Sequence, residues 1–279
     1  MQTLISWLTH SAPTATLALA IGSGTVAAFQ LVSVEDEITL GRDAQQQIRK
    51  EMPEVRDAAV RGYVSSLGER LSAQASGADY PYSFSTADYR ELNAFALPGG
   101  PVWINRGILS AAESESQVAG VLAHEIAHVA RRHSAQQLTK GTVANGLLGL
   151  LGAFIGDRGG AGAAVAQVAA GVTANSFMLK FSRDDEREAD REGVQILQRA
   201  GYDPRGVLEF MQILAAQQGR SPGAVAQFMS THPAPASRVQ ELQQLVGNAR
   251  GGRRSSQAFS SMKQRLGRLP SAPSMARTR

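Results

Sequence analysis

The segment His124-Glu125-Ile126-Ala127-His128 has residue types and spacing that can assemble a hydrolytic metal site. It lies in an apolar-periodic run from about 110 to 135, which predicts a helix. Because a helix has about 3.6 residues per turn and rises about 1.5 Å per residue, the two histidines share one face roughly 6 Å apart. Both imidazoles can therefore reach one ion, which supplies half of a tetrahedral zinc site.

Glu125 projects about 100° round the same helix from His124. That is too far to share the ligand face but close enough to contact a water on the metal, which suits a general base. The alternative is a helix that has two histidines by chance. This alternative is weakened because packing alone favours an apolar side chain between Ala123, Ile126 and Ala127.

The composition limits the kinds of metal site and partner. The chain has 279 residues, of which 43% are hydrophobic, and no cysteine. Disulfides and thiolate ligands are excluded, so zinc must be held by histidine and carboxylate. Eight cations and no acid follow Val246, so residues 1–249 are mildly acidic and no nucleic acid is expected as a partner. Residues 250–279 are predicted to be a basic disordered tail, with a lipid-binding arm as the alternative.

Two segments with few or no charges flank or interrupt the expected domain at 35–249, the second of them broken by Asp157-Arg158. Residues 1–34 contain no charged side chain, which predicts a signal-like or anchor segment and a location in the cell envelope, periplasmic or membrane-associated. Residues 141–179 are rich in Gly and Ala, and they predict a helical hairpin inserted into the domain. A hairpin that dips into a membrane is the alternative.

The remaining pattern predicts an α+β fold that is mostly helical. Residues 38–74 read as two helices split at Pro53. Between 80 and 105 the period changes to alternation, and Pro98-Gly99-Gly100 separates two short runs of strand formers. This predicts a small β-hairpin directly before the histidine helix.

The ends of the histidine helix can also be predicted. Ser110 and Glu113 form a capping-box pattern for its start, and we expect it to continue to His133. His133 follows His124 by about 900° of rotation, which places it on the opposite face of the helix. We therefore expect a surface histidine there.

Two later segments offer further polar groups. In the predicted helix at 182–199, Glu186 and Asp190 lie one turn apart, so Glu186 can ligate an ion while Asp190 accepts the N–H of a metal-bound histidine. The alternative is a solvated acidic face. His232 is either a loop histidine without a role or a group near the metal, as an oxyanion donor or an occasional fourth ligand.

Four blocks occur in a fixed order: NAFALPGG at 93–100, VLAHEIAHV at 121–129, SRDDEREAD at 182–190 and THPAPASR at 231–238. With them the chain resembles the gluzincin metallopeptidases of the HtpX, BepA and LoiP kind, metallopeptidase family 48. The resemblance implies a zincin-type domain with one Zn²⁺ on His124, His128 and Glu186, and Glu125 as the catalytic base. It also implies an edge strand that pairs with the substrate backbone, formed by Asn93, Ala94, Phe95, Ala96 and Leu97.

The expected function is a zinc-dependent metalloendopeptidase that hydrolyses unfolded or misassembled envelope proteins. His232 or Arg238 would stabilise the negative charge on the scissile carbonyl oxygen. Backbone pairing along the edge strand would bind substrates with little sequence selectivity. The alternative is a non-proteolytic, zinc-stabilised module that captures client proteins or associates with a membrane, and a permanent fourth ligand at His232 would favour it.

Overall fold

The computed structural model describes residues 32–144, 180–233, 236–247, 249 and 251–275, which form a helical body around a small sheet. The helices are α1 (Val34–Glu51), α2 (Ala58–Ser72), α3 (Arg106–Ala111), α4 (Glu115–Ala130), α5 (His133–Ala144), α6 (Arg183–Arg199), α7 (Arg205–Arg220), α8 (Ala226–Thr231), α9 (Ala236–Gly247) and α10 (Gln257–Arg268). The strands are β1 (Ser83–Ala87), β2 (Ala94–Ala96) and β3 (Pro101–Asn105). The predicted α+β class, mostly helical, is confirmed.

Two predicted segments lie largely outside the described residues. They are the signal-like or anchor segment at 1–34 and the Gly/Ala-rich hairpin at 141–179, of which only 32–34 and 141–144 are described. Within the described part of the chain, no helix combines the length and apolar character needed to cross a membrane.

The predicted β-hairpin is confirmed, and it forms one side of a three-stranded sheet. The strand order is β1-β3-β2, with β1 parallel and β2 antiparallel to β3. Gly99 in the connecting turn has φ +72°, and a Cβ there would lie 2.4 Å from the Glu37 carbonyl oxygen. Only glycine fits this turn without strain, so the hairpin can pack closely against α1.

Helix α4 lies at the centre of the fold. All 16 of its residues are buried, and it packs against α2, α6, α7 and β2. Small residues at the contacts let α6 and α7 approach α4 closely: a Cβ on Gly120 of α4 would lie 2.8 Å from the Val207 backbone of α7. A helix that is buried on every side occupies a core position. The His124–His128 segment is therefore held on a rigid, water-excluded element.

The start of α4 differs from the prediction. Ser110 lies inside the short helix α3, so the Ser110–Glu113 capping box is wrong. Helix α4 begins at Glu115 after Ser114, whose side chain makes no capping hydrogen bond. Instead, the Gln117 side chain accepts a hydrogen bond from the Glu113 backbone N–H at 2.8 Å. Residues 106–111 form the separate helix α3. The helical periodicity of the sequence continues from α3 into α4, so it does not show where one helix ends and the other begins.

The prediction of a disordered tail at 250–279 is also wrong for the residues that the structure describes. Helix α10 packs against α2 and α3 and buries Phe259, Met262 and Leu266. These three residues recur at helical spacing, which is a sequence pattern that predicts an amphipathic helix. The prediction of disorder relied instead on the surrounding Gly, Ser and Arg. Burial of three large apolar side chains stabilises this helix where composition alone indicates disorder.

Several cations in the described part of this tail contact the domain. Arg254 contacts Asp203 at 3.0 Å and Glu209 at 2.7 Å, and Arg265 contacts Asp57 at 2.8 Å. Lys263 donates hydrogen bonds to carbonyl groups at the end of α3, at 2.6 Å from the Ser110 oxygen. These described cations therefore attach α10 to the domain, rather than forming the free lipid-binding arm considered above.

Candidate metal centre

His124 and His128 face the same buried space from α4. Their Nε2 atoms are 3.0 Å apart, and the ring centroids are 4.7 Å apart. The side chains are 4% and 1% exposed, so bulk water does not separate them. The i, i+4 spacing therefore places both imidazoles on one side of the helix, as the sequence predicted.

Glu186 reaches the same space from α6. Its Oε1 lies 3.4 Å from His128 Nε2, and its Oε2 lies 3.5 Å from His124 Nε2. Helix α6 starts with a capping box at Ser182, and Gly193 lets it approach α4, since a Cβ there would lie 3.3 Å from the His124 backbone nitrogen. Residues from two helices about 60 positions apart in the chain therefore converge at one point.

His232 completes the cluster from the end of α8. Its Nδ1 lies 2.9 Å from Glu186 Oε1 and 3.4 Å from His124 Nε2. One donor atom from each of the four side chains lies within 4.8 Å of the others. Imidazole and carboxylate donors at this spacing, in a chain without cysteine, fit a zinc ion.

Glu125 lies beside this cluster and is fully buried. Neither of its carboxylate oxygens has a hydrogen-bond partner among the described residues. His232 Nε2 is 3.5 Å from its Oε1. A buried carboxylate without hydrogen bonds is costly to a fold, which makes Glu125 a candidate for a chemical role.

Asp190 and Arg238 form the outer support of the cluster. Asp190 Oδ1 is 3.1 Å from His124 Nδ1, and the Arg238 guanidinium donates to both carboxylate oxygens of Asp190, at 2.6 and 2.8 Å. Arg238 Nη1 also contacts Glu186 Oε2. Burial raises the pKa of Asp190, but Arg238 and His124 lower it to about 2. Asp190 is therefore ionised at neutral pH and can accept a hydrogen bond from the Nδ1–H of His124.

His133 is not the surface residue that the sequence predicted. Helix α4 ends at Ala130, and Arg132 takes a left-handed conformation with φ 59°, so the chain reverses and His133 begins α5. His133 is fully buried, with its Nδ1 2.9 Å from His128 Nδ1. The sequence contains no glycine here to signal the left-handed residue that ends α4.

The strand β2 lies at the edge of the described sheet and packs against α4. Phe95 pairs with Trp103, Asn93 accepts from the Asn105 N–H, and Leu97 donates to the Pro101 carbonyl. In an antiparallel ladder the alternate residues Ala94 and Ala96 then direct their N–H and C=O groups away from β3. No backbone partner for these groups is found in the part of the chain that the structure describes.

The side chains of this strand are buried. Asn93 is 1% exposed, and neither its amide nitrogen nor its amide oxygen finds a hydrogen-bond partner within the described ranges. Phe95 stacks on Trp103 at a centroid distance of 6.2 Å. Ala94 and Ala96 are themselves only 0% and 7% exposed, so the backbone groups of this strand that point away from β3 are also buried.

Comparison with known proteins also points to a metal-dependent peptidase. The model of Peptidase family M48 matches residues 58–246. The beta-barrel assembly-enhancing protease of Escherichia coli (strain K12) is 34% identical over 233 residues, which are 81% of this chain and 47% of that protein. The corresponding protease of Yersinia pestis is 34% identical over 221 residues, 78% of this chain and 45% of that protein.

A relative from another kind of organism is also similar. The mitochondrial metalloendopeptidase OMA1 of Schizosaccharomyces pombe is 28% identical over 236 residues, which cover 83% of this chain and 67% of that protein. The chain spans about half the length of the two bacterial relatives. The match of the family model covers more than half of the chain and includes both helices of the cluster, so this chain belongs to peptidase family M48.

Proposed function

We propose that the protein is a zinc-dependent metalloendopeptidase with His124, His128 and Glu186 as zinc ligands. The observation that supports this most is their convergence beside Glu125, a buried carboxylate whose oxygens lack hydrogen bonds among the described residues. Three nitrogen and oxygen ligands from two helices, with a base next to them, are typical of a catalytic rather than a structural zinc site. Membership of peptidase family M48 supports the same reaction.

Glu125 acts as the general base of this reaction. Its carboxylate takes the proton of the attacking water and delivers it to the nitrogen of the leaving amine. A bound zinc ion would act as a Lewis acid on the scissile carbonyl and would lower the pKa of water towards about 7. Because Glu125 is buried and makes no competing hydrogen bond to the described residues, its oxygens are free for this transfer.

Asp190 and Arg238 fix the tautomer of His124. With its Nδ1 proton directed at Asp190, the ring presents the Nε2 lone pair to the ligand cluster. Arg238 contacts both Asp190 and Glu186, so we assign it first to holding these two carboxylates. A contact of Arg238 with the carbonyl oxygen of the substrate stays a second possibility for the same side chain.

The substrate would lie extended along β2. The N–H and C=O groups of Ala94 and Ala96 point away from β3, which suits the addition of one more strand. Both residues are buried, at 0% and 7% exposure, so the substrate must displace what covers them before it can pair. Such pairing recognises any extended backbone, and unfolded or misassembled proteins expose one. With the names of the bacterial relatives, this supports quality control of proteins in the cell envelope, in the periplasm or at a membrane reached through residues 1–34.

The proposed function can be tested on the purified protein with unfolded casein. We expect cleavage by the zinc-loaded protein, loss of cleavage after treatment with a chelator, and recovery when zinc is returned. Metal content, measured on the same samples, should follow activity. A protein that holds zinc and cleaves no unfolded substrate would instead support the alternative, a zinc-stabilised module that captures clients without proteolysis.

His232 distinguishes these two functions further. Its Nδ1 lies among the ligand atoms and its Nε2 lies 3.5 Å from Glu125, so it can serve as an oxyanion donor or a fourth ligand. If it is an oxyanion donor, His232→Ala should lower turnover by roughly 10²-fold and leave zinc affinity unchanged. If it is a permanent fourth ligand, the variant should lose zinc affinity instead. Steady-state kinetics and zinc titration of the same variant separate the two roles.

A further inference from the structure

Two buried histidine rings contact each other at the end of α4. The Nδ1 atoms of His128 and His133 are 2.9 Å apart, with ring centroids 4.9 Å apart and planes at 73°. Two neutral imidazoles can form this contact only if one Nδ1 has a proton and the other has a free lone pair. The direction of this hydrogen bond therefore fixes the tautomers of both rings.

The position of His128 in the ligand cluster determines which of the two rings donates this hydrogen bond. His128 Nε2 faces His124 Nε2 at 3.0 Å and Glu186 Oε1 at 3.4 Å, so its lone pair is directed at the ion. A neutral His128 that ligates through Nε2 must hold its proton on Nδ1 and donate it. His133 Nδ1 must then accept, and the proton of His133 must lie on Nε2.

We propose that His133 is a positioning residue. Its Nδ1 accepts a hydrogen bond from the Nδ1–H of His128, and this directs His128 Nε2 towards the zinc ion. This inference rests on the proposed zinc ligands. The two ligands from α4 then have different supports: the carboxylate of Asp190 for His124 and a neutral imidazole for His128. An outer partner of this kind fixes ring orientation and raises the affinity for the metal.

The far side of His133 is arranged to stabilise this tautomer. His133 Nε2 lies 3.5 Å from Glu188 Oε2, an anion that favours a proton on that nitrogen. Arg131, the residue after α4, contacts Glu188 Oε1 at 3.5 Å and so holds the carboxylate near His133. A 3.5 Å contact from Glu188 to His133 and a hydrogen bond between His133 and His128 thus link the half-exposed Glu188 to the ligand ring.

The backbone is strained where it brings His133 to this place. Arg132 has φ 59°, a conformation that costs a non-glycine residue free energy, and its side chain binds Glu37 Oε1 at 2.5 Å and the Val32 carbonyl at 2.6 Å. Had α4 continued, His133 would lie on the face of the helix opposite His124. Contacts of Arg132 with α1 hold the turn that places His133 against His128.

The other explanation for His133 is a core residue that only fills space. Phe181 supports that reading in part, because it stacks on His128 at a centroid distance of 4.0 Å and lies 6.1 Å from the His133 ring. A space-filling ring needs no acceptor nitrogen, whereas the positioning role requires one at Nδ1. Substitutions that separate ring volume from acceptor therefore decide between the two explanations.

Two variants of the full chain make this separation. His133→Phe keeps an aromatic ring but removes the acceptor, and we expect zinc affinity to fall about 10- to 100-fold in competition with a chromophoric chelator. His133→Asn loses the ring but places an amide oxygen near the Nδ1 position, and it should retain most of the affinity. Thermal unfolding of the metal-free variants serves as the control for packing. Unchanged affinity in His133→Phe, or equal losses in both variants, would overturn the proposal.

A measurement on the wild-type protein covers the case in which a variant does not fold. Nitrogen-15 NMR of the zinc-loaded chain reports the tautomer of each histidine, since zinc is diamagnetic. We expect the proton on Nδ1 of His128 and on Nε2 of His133. The opposite tautomer at His133 would refute the inference while leaving zinc binding intact. A wild-type chain that binds no zinc would count against the proposed function instead.

Discussion

Glu125→Gln is expected to abolish proteolysis of unfolded casein, with a loss in turnover of roughly 10²- to 10⁴-fold, the range of general acid–base catalysis. Glutamine has the same shape but cannot accept the proton of the attacking water. Because Glu125 is not among the proposed ligands, bound zinc should stay at about one equivalent per chain. Turnover, measured beside zinc content on one preparation, tests both parts of the expectation.

This substitution should not weaken the fold. Glu125 is fully buried, and its oxygens have no hydrogen-bond partner among the described residues, so an amide of the same size breaks no hydrogen bond there. The thermal midpoint is expected to stay level or rise. Glu115→Gln is a matched control, because Glu115 is also buried on α4 but contacts Tyr63 at 3.4 Å, outside the cluster. Full activity in Glu125→Gln would show that another group is the base.

Glu186→Ala is expected to lower zinc affinity by more than about 100-fold, since loss of a ligand should exceed the 10- to 100-fold effect of losing an outer partner. Two imidazoles from α4 would remain, and Arg238 would lose one of the two carboxylates that it contacts. Activity should fall with metal content. Zinc titration of the variant, followed by analysis of metal bound after dialysis, measures this effect.

A matched control for Glu186 is available on the same helix. Asp184 lies in the first turn of α6, its side chain is 91% exposed, and its ion pair with Arg187 lies outside the cluster. Asp184→Ala should therefore keep the zinc affinity of the wild type. If Glu186→Ala bound zinc as tightly as this control, the third ligand would have to be sought elsewhere, with His232 as the first candidate.

Sequence reasoning predicted the local parts of the site. The i, i+4 spacing of His124 and His128 follows from helical geometry, and the structure shows both rings facing one space. The one-turn spacing of Glu186 and Asp190 likewise placed them on one face of α6. The hairpin was predictable because Pro98-Gly99-Gly100 is a strong turn signal between strand formers.

Sequence reasoning failed where a distant contact outweighed local preference. Arg132 adopts a left-handed conformation because Glu37 on α1 holds its side chain, so helical periodicity misplaced His133. Helix α10 forms because its apolar face packs on α2 and α3, although its composition indicates disorder. In both places the deciding energy comes from residues far away in the chain, which a local pattern does not contain.

The amino-acid sequence by itself determined which side chains share a helical face, because that face is set by the period of the backbone. It also excluded thiolate chemistry, since the chain has no cysteine. Only the tertiary structure decided that Glu186 and His232 meet the two histidines of α4, and that His133 contacts one of them. The physical reason is that such convergence depends on how closely helices pack, as where Gly193 meets the backbone of His124.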